Sequence, residues 1–215
     1  MKRTLIFQQR MAAYVEERDI DIKYAEGAGL RAVDAEMAER MGFPYANRSQ
    51  GGVVSPYLHP LTRKPHDSLM RIRYLGELPR DNNGEPIRYT QPKQSGVEAF
   101  FDANVDWLEV MRDANMRIAI TEGEAKALYM NQHRRALGAV TIGLGGVWNF
   151  RDKETGDLTP WLRMVRASRS ISGGDYIIAF DSDMATNSDI QRAAAKLAEL
   201  LGVEVQGSRL VQVRR

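Results

Sequence analysis

From Met116 onward the chain alternates short apolar runs with helical stretches, and this alternation limits the possible folds more than any other feature. RIAIT, GAVTIGL and DYIIAF read as strands, and GEAKALYMNQHRRA, TPWLRMVRASRS and NSDIQRAAAKLAELL read as helices. VEV and RLVQV form a last pair of short runs. Strands that are apolar throughout, separated by helices, call for a parallel sheet covered on both faces and joined by right-handed crossovers. The segment before it has a different texture. GGVVSPYL, LMRIRYL and PIRYTQP are short β-rich runs separated by Pro, Asn and Gly, with DNNGEP as a turn, which predicts a small antiparallel sheet. Earlier still, residues 4–46 read as helical, with AVDAEMAERMGF capped by Asp34 and closed by Gly42. The expected organisation is a helical segment over 1–50, a basic β-rich subdomain over 51–115 and an α/β domain over 116–215.

With 215 residues the chain can bury a sizeable core, and 43% hydrophobic residues beside 27% charged ones argue against disorder. No run of about 18 apolar residues occurs, so no membrane span is expected. The first apolar run is broken by Gln and Arg and does not read as a secretory signal. Cysteine is absent, which excludes disulfides, zinc ribbons, iron–sulfur clusters and thiol nucleophiles. A cytoplasmic location fits that composition.

Net charge is only +2, but it is unevenly spread. Between Arg48 and Lys93 there are eight basic residues against four acidic ones, whereas residues 1–47 carry seven against eight. A basic excess interleaved with Tyr57, Tyr74 and Tyr89 suits a phosphate-backbone surface, and equally the solvated face of a small sheet. His59, His66 and His133 lack metal-ligand spacing. Arg163, Arg166 and Arg169 recur every third residue, as on one helical face, either a stripe for a phosphate backbone or a solvated surface. Trp148 and Phe150 read as core residues.

In open parallel sheets, functional groups gather beyond the carboxyl ends of the strands. Two strands here end in acids: RIAIT runs into Glu122-Gly123-Glu124, and YIIAF into Asp181-Ser182-Asp183. Two carboxylates spaced i, i+2 can chelate a hard cation, and a third from a neighbouring strand completes an oxygen-rich site suited to Mg²⁺ or Mn²⁺. Acids also occur at helix N-termini merely because they favour the helix dipole. The two motifs in this order are more specific than either alone.

ITEGEAKALYMNQHRRALGAVTIGLGG followed by YIIAFDSDMATNSDIQRAAAKLAELL resembles a Toprim domain, the fold shared by bacterial-type primases, topoisomerases, recombination proteins and a class of nucleases. Upstream, GGVVSPYLHP, RIRYL and PIRYTQPKQS resemble the basic subdomain that precedes Toprim in primases. Over roughly residues 28–205 the chain looks most like the uncharacterised Toprim-related domain of phage, plasmid and mobile-element replication proteins. The resemblance implies a mostly parallel α/β Toprim-like sheet flanked by helices, preceded by a small helical and antiparallel β subdomain of primase type. It makes Glu122, Asp181 and Asp183 the metal-holding and catalytic acids. It places Arg73, with Arg71 beside it, and Arg88, Tyr89, Gln91 and Lys93 near nucleic acid.

Where primases carry a further acid, this chain has Lys126, a cation expected to face phosphate. The acidic cluster that primases carry beyond the next strand has no counterpart before Arg215, so the chain is either a fragment or lacks it. The implied function is Mg²⁺-dependent, primase-like nucleotidyl transfer in DNA replication, with single-stranded DNA and nucleoside triphosphates as partners and a replicative helicase as a further one. A Toprim nuclease using the same acids, or a non-catalytic nucleic-acid-binding module favoured by Lys126, remain alternatives.

Overall fold

The computed structural model describes residues 2–181 and 185–203. The chain divides into two compact units, one of residues 1–57 and 64–96, the other of residues 58–63 and 97–215. The expected boundary near residue 115 lies inside the second unit. The stretch 97–106 goes with the α/β sheet because Phe100 exchanges backbone hydrogen bonds with Gly143, at 2.7 and 3.0 Å.

In the first unit, helices α1 (Lys2–Glu16), α2 (Ile22–Gly27) and α3 (Ala35–Arg40) accompany a four-stranded sheet. Its order is β1 (Arg31–Val33), β2 (Gly52–Leu58), β3 (Pro65–Tyr74), β4 (Tyr89–Thr90). The expectation of helix throughout 4–46 is corrected at Arg31–Val33. Those three residues pair antiparallel with β2, Ala32 opposite Val53, so the helical segment and the basic sheet fold as one unit. Asp34 then caps α3, its carboxylate accepting from the Met37 amide at 2.8 Å. In the expected turn, Asp81 accepts from the amides of Asn83 and Glu85, both at 2.8 Å. Val33, Ala38, Phe43, Val54, Ile72 and Tyr74 form the core.

Strand β3 shows why its two faces differ. Ile72 and Tyr74 are buried, while Arg71 and Arg73 alternate with them onto the opposite face. Tyr57 and Tyr74 are 1% and 0% exposed, so of the three tyrosines interleaved with the basic residues only Tyr89 belongs to a surface. The Tyr74 hydroxyl donates to the Pro44 carbonyl and accepts from Thr90. Burial raises its pKa above the ordinary tyrosine value.

The second unit holds α4 (Trp107–Arg112), β5 (Arg117–Glu122), α5 (Glu124–Gln132), α6 (Arg134–Leu137), β6 (Ala139–Leu144), α7 (Pro160–Ser172), β7 (Tyr176–Ala179) and α8 (Ser188–Leu201). Its sheet has the order β6-β5-β7 and all three strands are parallel, as the alternation predicts. Ile118, Ile120, Val140, Ile142 and Leu144 pack with Leu162 and Val165 of α7 and with Ile190, Ala193, Leu197 and Leu201 of α8. That spacing on α8 is an apolar stripe at helical period. Asn187 caps α8 by accepting from the Asp189 amide at 3.0 Å. Phe150 is fully buried, as expected, whereas Trp148 is half-buried and donates its indole N–H to Asp189 at 3.0 Å. VEV lies outside the described residues except for Val203, and RLVQV lies outside them altogether. Among the described residues no helix is long and apolar enough to cross a membrane.

Candidate functional site

Strand β5 is the central strand of its sheet, flanked on both sides by parallel neighbours. The register pairs Thr121 with Ala179 of β7 and Glu122 with Leu144 of β6. The buried Thr121 hydroxyl donates to the Ala179 carbonyl at 2.8 Å, fastening the last rung between β5 and β7. One residue beyond that rung on β5 is Glu122. Two residues beyond it on the other strand is Asp181. Both carboxylates therefore leave the sheet at the same edge, from strands about 4.8 Å apart, and both are half-buried.

Gly123 makes the turn that follows. Its φ is +93°, a conformation that disfavours a side chain, and its amide donates to the Leu144 carbonyl at 2.6 Å. Helix α5 starts directly after it and lies close on β6. A Cβ at Gly143 would come within 3.1 Å of both the Ala127 Cβ and the Gly123 carbonyl oxygen, so glycine there lets helix and strand approach. Farther along, the fully buried Asn131 donates to the Thr141 carbonyl at 2.9 Å and accepts from the Thr141 amide at 2.6 Å. That pair of bonds satisfies the backbone of β6 on the side away from β5 and fixes the rotation of α5. Glu124 is 5% exposed.

With that rotation fixed, Lys126 sits in the first turn of α5 and its ammonium donates to an Asp181 carboxylate oxygen. Lys126, expected to face phosphate, is paired in the structure with Asp181, the first acid after β7. That contact sets a positive charge beside carboxylates that would otherwise repel one another. Asp183 lies outside the described residues. Among the described residues no group of three or more His, Asp or Glu side chains is placed to hold a metal ion. The donors that are described, two carboxylates at one edge, are hard oxygen ligands of the kind Mg²⁺ or Mn²⁺ takes.

The first unit carries the residues expected near nucleic acid. Arg73 stands directly opposite Tyr89 across the β3–β4 ladder. The Arg71 and Arg73 guanidinium carbons lie 5.2 and 5.0 Å from the centre of the Tyr89 ring, which is 40% exposed. Both distances are within cation–π range. Arg73 also donates to the Arg88 carbonyl at 3.4 Å, and the Arg88 side chain is exposed. The Gln91 amide is engaged locally, donating to the Ser95 hydroxyl at 3.0 Å and the Gly96 carbonyl at 2.8 Å, so it braces the 91–96 loop. Lys93 is exposed on that loop. The histidines His59 and His66 serve as turn acceptors, each ring Nδ1 taking two backbone amides.

Two features were missed or misread in the sequence. Glu98, 3% exposed, accepts from the Ala99 amide at 2.9 Å and from the Trp161 amide at 3.0 Å, tying the approach to the sheet to the start of α7. The arginine stripe of α7 is not a uniform surface. Arg166 pairs with Asp157 at 3.1 Å, and Arg169 is buried, donating to three carbonyls.

Residues 106–214 match the model of a family described as Domain of unknown function (DUF3854). The chain belongs to that family. No curated protein matches it. Among solved structures it is similar to the crystal structure of the primase fragment of the bacteriophage T7 primase-helicase protein, at 13% identity and a TM-score of 0.46. The match covers 92% of this chain and 64% of that one.

Proposed function

We propose that the second unit is a Toprim-type carboxylate site and that the chain is the primase-like core of a phage, plasmid or mobile-element replication protein. The observation that carries this reading is the departure of Glu122 and Asp181 from adjacent parallel strands at one edge, with the glycine turn at 123 behind the first. In this reading Glu122, Asp181 and Asp183 hold Mg²⁺ or Mn²⁺, which when bound neutralises phosphate charge and polarises the reacting phosphorus. In the same reading Glu122 accepts or returns a proton at the attacking oxygen. Single-stranded DNA template contacts the sheet face of Arg71, Arg73 and Tyr89 together with the exposed Arg88 and Lys93, and nucleoside triphosphates are the second substrate. A replicative helicase is the expected partner.

The test is incubation of the full chain with labelled single-stranded DNA and Mg²⁺, with and without nucleoside triphosphates. Extension supports the primase-like reading, and shortening without triphosphates supports a nuclease built on the same acids. Replacing Asp181 and Asp183 together by Asn should reduce either activity by at least about a hundredfold, the scale on which single catalytic groups act. Activity unchanged in that variant would remove the site.

The ion pair between Lys126 and Asp181 favours a second reading, a nucleic-acid-binding module without catalysis, in which Lys126 replaces the metal for good. DNA binding independent of Mg²⁺ with neither reaction would support it.

A further inference from the structure

We propose that Lys126 is a resident competitor for the cation position at Asp181, so that a divalent ion binds only by displacing its ammonium. This rests on the reading of the strand-end acids as a metal site and adds to it a residue that sets the affinity of that site.

Two observations lead there. The first is the contact itself: the Lys126 ammonium donates to an Asp181 carboxylate oxygen, the atom type a hard cation would take. The second is where the lysine stands. Gly123 is the residue before α5 and Lys126 lies within the helix's first turn, where the aligned peptide dipoles disfavour positive charge. A cation held against that field needs an anion facing it, and Asp181 supplies one from the neighbouring strand. The two side chains are 48% and 36% exposed, so the pair is wet and readily exchanged rather than locked. An ammonium in that position opposes a divalent ion at the same carboxylate, since the two like charges would then lie at close range. Asn131, bonded twice to Thr141, sets the rotation of α5 and with it the position of Lys126, so the competitor is fixed by the fold.

The experiment is a direct Mn²⁺ titration of the full chain, by calorimetry or by the electron paramagnetic resonance signal of free Mn²⁺, without nucleic acid. Lys126→Met should bind Mn²⁺ about two- to fivefold more tightly than the wild type, the range an exposed ion pair can shift an equilibrium. Lys126→Arg, which keeps the charge, should stay close to wild type, a result that loss of packing alone would not produce. Asp181→Asn should weaken binding at least tenfold. If Lys126→Met binds no more tightly while Asp181→Asn still loses the ion, the metal site stands and the competitor role is overturned. If Asp181→Asn binds as the wild type does, the metal site itself is wrong and the proposal falls with it. Lys126→Gln serves in the same comparison should the Met variant misfold by circular dichroism.

Discussion

Glu98 shows how much one buried carboxyl can report. Burial pushes its pKa above the usual glutamate range, and the Ala99 and Trp161 amides together with the Arg163 charge oppose that shift without cancelling it. A carboxyl raised on folding holds its proton more tightly in the folded chain than in the unfolded one. Its contribution to stability is therefore fully present below the unfolded value, near 4.3, and is lost as pH rises through the raised folded value. Glu98→Gln removes the titration but also one of the two amide acceptors, at a pH-independent cost of about 1 kcal/mol. The expected outcome is that the variant is less stable than wild type near pH 4 and that the gap narrows as pH rises toward 7. Urea unfolding of both proteins across that range checks it, and a gap that does not change with pH would show that burial is not governing this carboxyl. At the same scale, Glu122 could be picked out because a Glu-Gly pair after an apolar strand needs the positive φ that Gly123 supplies. The bond from Lys126 to Asp181 could not, because it joins positions 55 apart whose neighbourhood exists only once β5 and β7 are side by side.

Helix α7 is the element whose role changed most between sequence and structure. A spacing of three residues walks back around a helix by about 60° per step, so Arg163, Arg166 and Arg169 do not share one face. Arg169 instead follows Leu162 by seven and Val165 by four, which puts it on the buried stripe with them. There its guanidinium donates to the carbonyls of Val110 at 3.2 Å, Asp113 at 2.5 Å and Met116 at 2.8 Å. Those carbonyls belong to the end of α4 and the lead into β5, so one side chain ties the helix to the strand that presents Glu122. Arg169→Met should destabilise the protein by about 2–4 kcal/mol, since it leaves three carbonyls without their donor. Arg163→Met on the same helix should cost under about 0.5 kcal/mol. Equal losses in chemical unfolding would show that Arg169 is no strut. Strands β5, β6 and β7 were legible because each is an apolar run bounded by Gly or acid. Strand β1 was not, being three residues between Gly29 and Asp34, too short to show a period of two. Helix α4 escaped for the same reason: six residues beginning at Trp107 show less than two turns of pattern. Short elements take their structure from the partners they meet, and that information is not local.

For the molecule as a whole, a net charge of +2 over 215 residues is too small to draw nucleic acid by its overall field. Any binding must come from where the charge is concentrated, and the local excess of four positive charges lies between Arg48 and Lys93. Within that stretch β3 turns Ile72 and Tyr74 into the core and Arg71 and Arg73 outward, and the exposed Tyr89 ring lies 5.2 and 5.0 Å from the two guanidinium groups. In the proposed function this face offers cations to phosphate and one aromatic ring to a base, the combination that suits single-stranded nucleic acid. Tyr57 and Tyr74 add nothing to it, because both are buried. Arg73→Ala with Arg88→Ala should therefore weaken binding to an unstructured oligothymidylate and flatten its salt dependence. The log–log slope should fall by about 0.7 for each phosphate of the single strand that is no longer neutralised, or about 1.4 for both. Replacing Arg192 and Lys196 of α8, which are paired with Asp189 and Glu199, should leave that slope unchanged. Fluorescence anisotropy titrations between about 50 and 200 mM salt make the comparison within the range where phosphate neutralisation dominates. A slope that is the same in the Arg73/Arg88 variant as in wild type, or that falls equally in the α8 variant, would move the nucleic-acid surface away from β3 and β4.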